Sequence, residues 1–343
     1  MLEDARTSIA RLVEVQANDV IFTSGATEAN ALAILGHVRA LRALAGPDTP
    51  GRNNMHVLYL PSAHASIVEN MRALAEEGID IEPLPIKNYR VDIDALAKLI
   101  RPETMLVSME AVCGETGVIW NTREVRNVID KKIMLHVDAS QAPLTEKITR
   151  AHFGADLLTF DASKVAAMHG MGALIAHRTI PLAPLYRGGG QERGLRSGTE
   201  APELAREFAA ALGVAVERRE DFHARALRAR ISLIGLMSPI PGLLMNQGSA
   251  QAPNIVNLSL PGRDTDYLVA LLDEAGFAIS SRSACETDSE EGSRAVFALA
   301  GDAERARATL RISWGPSVRP SDFARLARAL ARAVAFIDSG RQR

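Results

Sequence analysis

Short runs of consecutive apolar residues, separated by stretches with helical periodicity, occupy the first two-thirds of the chain. Runs of this length predict buried strands, and the stretches between them, such as ASIVENMRALAEEG, predict amphipathic helices. The predicted strands cover residues 20–25, 56–62, 81–86, 104–112, 133–139, 156–162 and 172–177. Nearly continuous apolar strands that alternate with helices indicate a mainly parallel, seven-stranded sheet with helices on both faces.

The pattern changes near residue 200. Residues 201–237 predict one or two long helices, and the rest of the chain predicts a smaller α/β unit that ends in a helix. A length of 343 residues suits two domains of ordinary size. We therefore expect an α/β protein with a large domain over residues 1–215 and a small C-terminal domain over residues 216–343.

Composition and charge narrow the possible functions. The 39 basic and 41 acidic residues give a net charge of -2, so neither direct nucleic-acid binding nor an anionic membrane is expected. No apolar run approaches the ~20 residues that span a bilayer, and the N-terminus lacks the layout of a signal peptide. Two cysteines, Cys113 and Cys285, are too few for a disulfide framework, so we expect a cytoplasmic protein.

The first candidate site is the turn after the first predicted strand. In IFTSGATEAN the strand runs into Thr23, Ser24, Gly25, Ala26 and Thr27, and a helix follows. Backbone N–H groups at a helix N-terminus bind anions, so the turn predicts a phosphate site. An ordinary helix N-cap is the alternative, because the sequence fits neither the P-loop nor the dinucleotide-binding pattern.

Two charged residues follow later strands. Asp138 ends a buried strand, just before Gln141, and a carboxylate buried there needs a partner. A protonated heterocyclic nitrogen would provide one, although a helix cap would also account for Asp138. Lys164 follows the next strand among small and apolar residues, and a lysine in a partly buried apolar pocket is a nucleophilic amine. A phosphate turn, a strand-end aspartate and a strand-end lysine are together the components of a pyridoxal phosphate site.

Five motifs, in order along the chain, resemble those of a known family. TSGATEAN, HVDASQAP, the strand-end lysine, RGGGQERGLRSGTE and SSRSACE are similar to motifs of the cysteine desulfurases. These are fold-type I pyridoxal phosphate enzymes of the class V aminotransferase group. The resemblance implies a homodimer that converts L-cysteine to L-alanine. It also implies transfer of the sulfur, as a persulfide, to an acceptor protein that is an iron–sulfur scaffold or a tRNA-thiolation protein.

The resemblance also implies roles for single residues. Lys164 would bind the cofactor covalently, Cys285 would attack the substrate sulfur, and His64 would stack on the cofactor ring and shuttle protons. The implied cofactor contacts are Asp138 at the ring nitrogen, Gln141 at the ring hydroxyl, Ala26, Thr27 and Ser163 at the phosphate, and Thr199 at the phosphate of the other subunit. Arg311 would bind the substrate carboxylate with its bidentate guanidinium. No metal site is implied.

The sequence departs from the family pattern at several places. The chain starts after an N-terminal segment that family members usually carry, Gly114 replaces an asparagine that bonds the cofactor, and Asp161 replaces a serine. An ionised Asp161 about 4 Å from a phosphate would cost roughly 4 kcal/mol per charge pair at an effective dielectric constant of about 20. We therefore expect Asp161 to point away, to cap a turn or to pair with a cation.

Two alternatives stay open, the second of them because of these departures. One is a related lyase that acts on selenocysteine or cysteine sulfinate, for which the loop thiol matters less. The other is a catalytically impaired relative that serves as a binding or assembly protein.

Overall fold

The computed structural model describes residues 1–46, 54–281 and 292–341. The chain forms two compact units, the first comprising Met1–Val112 and Trp120–Arg219 and the second Cys113–Ile119 and Glu220–Arg343. The chain therefore passes from one unit to the other three times. The short segment 113–119 belongs with the C-terminal unit, although residues of the first unit precede and follow it.

A seven-stranded sheet lies at the centre of the first unit, with the strand order β1-β9-β8-β7-β6-β2-β3. The strands are β1 (Val20–Thr23), β2 (His56–Tyr59), β3 (Asp80–Pro83), β4 (Ile86–Lys87), β5 (Arg90–Val91), β6 (Thr104–Glu110), β7 (Met134–Asp138), β8 (Leu157–Asp161) and β9 (Gly172–Ala176), of which β4 and β5 form a separate ribbon. The strands from β8 to β3 pair in parallel, whereas β9 is antiparallel to both β8 and β1. The seven predicted strands and the mainly parallel sheet are confirmed.

Helices supply the other layers of this unit, and most strand residues are buried, as expected for a sheet covered on both faces. The helices are α1 (Leu2–Val13), α2 (Ala26–Ala31), α3 (His37–Leu44), α4 (Ala65–Glu76), α5 (Ile93–Leu99), α6 (Thr122–Val128), α7 (Arg150–Phe153) and the first half of α8 (Pro202–Met237), which belongs to the second unit from Glu220 onwards. A π-helical turn, Leu32–Gly36, joins α2 to α3 without a break. The long helical segment predicted over residues 201–237 is the single helix α8.

The parallel pairing sets the position of three carboxylates. Glu110, Asp138 and Asp161 are the last residues of β6, β7 and β8, which are neighbours in the sheet. Glu110 and Asp138 are directly opposite each other in the register. Because parallel strands end at the same sheet edge, all three acidic residues lie along the edge where ligands of such sheets bind.

The second unit contains a three-stranded antiparallel sheet of β10 (Leu244–Met245), β11 (Ile255–Ser259) and β12 (Thr309–Ser313). Its other helices are α9 (Thr265–Glu274), α10 (Arg294–Ala300), α11 (Ala303–Arg307) and α12 (Pro320–Arg341). The smaller α/β unit expected from the sequence is confirmed. Of the helices that the structure describes, none combines the length and apolarity needed to cross a membrane.

Candidate active site

The turn between β1 and α2 donates a hydrogen bond to the side chain of Asp161 at the end of β8. The Ala26 N–H donates to Oδ2 of Asp161 over 2.8 Å. The Ser163 N–H and hydroxyl donate to Oδ1 of the same carboxylate over 2.8 and 2.6 Å. Gly25, with a φ of 149°, lies so close that a Cβ there would be 3.2 Å from Oδ2. The turn predicted to bind an anion therefore binds one, the carboxylate of Asp161.

One of the three placements expected for Asp161 is found. Asp161 caps the 3-10 turn Ala162–Lys164 by accepting from the Ser163 N–H. Its second oxygen points towards Ala26 and not away from the turn, which the sequence did not predict. Thr27, the third residue expected at a phosphate, is exposed at the start of α2.

The Asp138 carboxylate is buried at the end of β7 and is held by two donors. Nδ2 of Asn30 donates to Oδ2 over 2.7 Å, and the Ser140 N–H donates to Oδ1 over 2.9 Å. Sequence reasoning missed Asn30, which is fully buried. The signal for Asn30 was its spacing, since it lies four residues after Ala26 and therefore on the same face of the helix.

A chain of hydrogen bonds connects Asp138 to His64. Asn30 Nδ2 also donates to the Ser66 hydroxyl over 2.9 Å. Nδ1 of His64 lies 2.8 Å from that hydroxyl and accepts from the Ser66 N–H over 3.2 Å. Because Nδ1 accepts, we assign the proton of the neutral ring to Nε2. The exposed His64 is thus fixed in one tautomer at the N-terminus of α4.

Lys164 ends the 3-10 turn that Asp161 caps, and its side chain is exposed. The sequence predicted a partly buried Lys164, and this prediction is wrong, because Lys164 is exposed in the structure. The physical reason is the turn, which carries Lys164 three residues beyond the end of β8. Gln141, the other residue expected near the cofactor ring, is half-buried after β7.

His136 lies two residues before Asp138 and on the same face of β7. Its side chain is fully buried, with Nδ1 2.8 Å from the Ser108 hydroxyl and Nε2 3.1 Å from the Thr159 hydroxyl. Burial lowers the pKa of His136 to about 4, and the negative charge of Asp138 offsets only part of this effect. The imidazole next to the strand-end carboxylate is therefore neutral at pH 7.

We expect His136 to make the free energy of unfolding depend on pH in acid. The pKa of this histidine is 6.5 at its ordinary value and about 4 in the folded chain, so the unfolded state binds an extra proton between these values. The contribution of the neutral His136 to the free energy of unfolding is therefore complete above pH 6.5 and is lost as the pH falls towards 4. The loss is about 3 kcal/mol, since one pKa unit is worth about 1.4 kcal/mol.

Urea unfolding at a series of pH values measures this effect. His136→Gln should flatten the acid limb of the stability curve relative to wild type. His169→Gln, which alters an exposed histidine, is the matched control. Parallel curves for wild type and His136→Gln would contradict the prediction.

The loop over residues 187–200, which carries Thr199, is anchored by a buried ion pair. Arg6 in α1 donates to both oxygens of Glu192, over 2.8 and 2.7 Å. The Phe22 N–H in β1 donates to the same carboxylate over 2.9 Å. Thr199 itself is exposed, and its expected contact is with another subunit.

A second carboxylate, Glu28 in α2, ties the same loop to the anion-binding turn. It accepts from the Tyr186 hydroxyl over 2.6 Å, from Arg196 Nε over 3.2 Å and from the Ser24 N–H over 2.6 Å. Burial alone would raise the pKa of Glu28, but the hydrogen bonds from Tyr186 and Ser24 and the charge of Arg196 hold it below its ordinary value. The turn and the loop are therefore fixed to each other by an ionised side chain.

Two other predicted site residues belong to the second unit. Arg311 in β12 is half-buried, and its Nη1 donates to the Gly114 carbonyl over 3.3 Å. In the same segment, Cys113 is buried and its Sγ accepts from the Thr116 N–H. Cys285, the predicted nucleophile, lies outside the described residues.

One group of potential metal ligands occurs in the part of the chain that the structure describes. His56, Asp80 and Glu82 bring a ligand atom each to within 4.8 Å of one another. The Arg101 guanidinium pairs with both carboxylates. Since the Arg101 guanidinium already pairs with both acids, we assign no metal to them.

Comparison with known proteins identifies the family. Residues 1–326 match the model of the family described as Aminotransferase class-V. The chain belongs to this family. A class-V relative from Archaeoglobus fulgidus, "Cysteine desulfurase IscS 1", is 31% identical over 332 residues, which are 96% of this chain and 85% of that protein. Another, "Cysteine desulfurase, mitosomal" from Encephalitozoon cuniculi, is 34% identical over 320 residues, covering 92% and 72%.

Solved structures of similar proteins confirm the fold class. A "NIFS-like protein" superposes with a TM-score of 0.87 at 24% identity and covers 98% of this chain and 87% of its own. DndA from Streptomyces lividans gives a TM-score of 0.78 at 27% identity, with coverage of 92% and 88%. The resemblance to cysteine desulfurases stated from the motifs is confirmed.

Cysteine desulfurases of the class-V family depend on pyridoxal phosphate, and the residues of this site fit such a group. At the ring end, Asp138 is a buried carboxylate held in place by Asn30, which suits a protonated ring nitrogen. At the phosphate end, the donors are of the right kind, backbone N–H groups and a serine hydroxyl. These donors hold the Asp161 carboxylate.

Proposed function

We propose that the protein is a cysteine desulfurase, which uses pyridoxal phosphate to convert L-cysteine to L-alanine and takes the sulfur onto Cys285 as a persulfide. The observation that carries the proposal is the grouping of Asp138, Lys164 and the anion-binding turn at one end of the parallel strands. Relatives named cysteine desulfurases support the choice of substrate.

In this proposal, different residues of the first unit bind different parts of the cofactor. Lys164 would bind it covalently, Asp138 would pair with its ring nitrogen and Gln141 would contact its ring hydroxyl. Its phosphate would be held by Ala26, Thr27 and Ser163, with Thr199 from the other subunit of a homodimer. When bound, pyridoxal phosphate supplies an electron sink for the carbon that loses a proton.

His64 and Lys164 move protons in this scheme. The neutral His64 ring carries its proton on Nε2, because Nδ1 accepts from Ser66. His64 would therefore begin the cycle as a proton donor, and the Lys164 amine would accept the proton from Cα of the substrate. Asn30 is a positioning residue: it holds Asp138 directly, and it holds His64 through the Ser66 hydroxyl.

The residues that bind the substrate and accept its sulfur belong to the second unit. Arg311 binds the carboxylate of L-cysteine, and the Cys285 thiolate attacks the substrate sulfur. The bond between Cβ and sulfur breaks, an S–S bond forms, and Cβ takes up a proton. L-Cysteine and an enzyme thiol therefore give L-alanine and an enzyme persulfide, without an added oxidant. The persulfide then passes to an acceptor protein, an iron–sulfur scaffold or a tRNA-thiolation protein, in the cytoplasm.

The direct test is a product assay. The purified protein, loaded with pyridoxal phosphate, is incubated with L-cysteine and a thiol reductant, and alanine and sulfide are measured over time. We expect equal amounts of both. A cofactor-loaded sample that forms no alanine would contradict the proposal.

Replacing Cys285 separates desulfuration from a selenocysteine lyase activity. Cys285→Ala should lower alanine formation from L-cysteine by at least about a hundredfold, because the thiolate is the sulfur acceptor. Cleavage of selenocysteine depends less on this thiol and should persist. Cys113→Ala removes the buried cysteine and is the control. Unchanged desulfuration by Cys285→Ala would show that another group accepts the sulfur.

A further inference from the structure

Asp161 accepts from the anion-binding turn with one oxygen and from Ser163, two residues after it, with the other. Oδ2 accepts from the Ala26 N–H, and Oδ1 accepts from the N–H and the hydroxyl of Ser163. Two segments of the chain that are far apart in sequence therefore direct three donors at one carboxylate. Among the described residues, Asp161 forms no ion pair, so these neutral donors stabilise its charge.

The same donors are those that the proposed function assigns to the phosphate of pyridoxal phosphate. A phosphate and the Asp161 carboxylate cannot both accept from Ala26 and Ser163, because each N–H and O–H has one hydrogen to donate. Two anions at this distance also repel each other, and no cation of the turn compensates the second charge. The residue that the family pattern places here, a serine, would add a donor where this chain has an acceptor.

We propose that Asp161 is an internal competitor for the cofactor phosphate, so that the phosphate binds only by displacing this carboxylate from Ala26 and Ser163. The inference rests on the proposed function and adds a control on cofactor loading. As a consequence, the phosphate group adds little to the affinity of this protein for pyridoxal phosphate. Removing the charge of Asp161 restores that contribution.

The experiment is a calorimetric titration of the full chain with three probes: pyridoxal phosphate, pyridoxal and inorganic phosphate. The variants are Asp161→Asn, which keeps the shape and an acceptor for the Ser163 N–H, and Asp161→Ser, which restores the residue of the family pattern. Asp94→Asn removes an exposed carboxylate from α5 and is the control. Thermal unfolding of each variant checks that it is folded.

We expect Asp161→Asn and Asp161→Ser to bind pyridoxal phosphate and inorganic phosphate at least about tenfold more tightly than wild type, with no such gain for pyridoxal. The wild-type chain alone gives a second test, because it should bind pyridoxal phosphate less than about tenfold more tightly than pyridoxal. This measurement does not depend on the folding of any variant.

The outcomes separate this inference from the proposed function. Equal affinities of wild type and Asp161→Asn for pyridoxal phosphate, together with a strong wild-type preference for it over pyridoxal, would overturn the inference and leave the proposed function intact. A gain for inorganic phosphate in the variants, without binding of pyridoxal or pyridoxal phosphate by any form, would support the inference. That result would contradict the proposed function.

Discussion

Replacing Lys164 with alanine should reduce alanine formation from L-cysteine to the uncatalysed background. The amine is both the covalent ligand of the cofactor and the acceptor of the Cα proton in the proposed reaction, so its loss removes two functions at once. Enzymes accelerate reactions by at least about 10⁶-fold over the uncatalysed rate, and we expect a loss on this order. A product assay with cofactor in excess measures it.

Two controls make this result specific. Lys147→Ala removes an exposed lysine elsewhere in the first unit and should retain wild-type activity. Borohydride reduction followed by peptide mass spectrometry should find pyridoxal phosphate on Lys164 in wild type and not in Lys164→Ala. Substantial alanine formation by Lys164→Ala would contradict the assignment of this lysine, whatever the state of Asp161.

Replacing Glu192 with glutamine should lower the free energy of unfolding by about 3 kcal/mol, because it leaves the exposed Glu3 carboxylate as the remaining counter-charge of the buried Arg6 guanidinium. The side chains of this pair are only 10% and 2% exposed. Glu192 also accepts from the Phe22 N–H, so the change weakens a link between α1, β1 and the loop over residues 187–200. Urea unfolding at neutral pH measures the loss.

The matched control is an exposed pair, Arg72 and Glu69 in α4, with side chains 63% and 55% exposed. Glu69→Gln should change the free energy of unfolding by less than about 1 kcal/mol, as for other surface ion pairs. Arg6→Met combined with Glu192→Gln should recover part of the loss, because no buried charge is then left alone. A Glu192→Gln protein as stable as Glu69→Gln would refute the importance of this pair.

The sheet could be predicted because buried parallel strands carry a signal that survives in a single sequence. The seven apolar runs correspond to β1, β2, β3 and β6 to β9, and the uninterrupted helical pattern corresponds to α8. The two-residue strand β10 is too short to produce such a pattern. The placement of residues 113–119 in the second unit depends on contacts with residues distant in sequence, which local periodicity does not encode.

The candidate site was predicted to the extent that strand ends could be located. Asp138 and the turn at Ala26 follow from that rule, since polar residues after buried strands meet at one edge of a parallel sheet. The direction of a side chain does not follow from it. The contact of Asp161 with Ala26 requires the close packing of β8, β9 and β1, and the partners of Asn30 lie on two other segments.

The assignment of residues 113–119 to the second unit has a practical consequence for dissecting the protein. A fragment that starts at residue 220 would lack the carbonyls of Glu115 and Thr116, which accept from the side-chain amides of Asn257 and Gln251. It would also lack the Gly114 carbonyl bound by Arg311. A single cut in α8 therefore cannot release an intact C-terminal unit. Independent expression of this unit requires the segment to be supplied as a separate peptide or spliced to a new terminus.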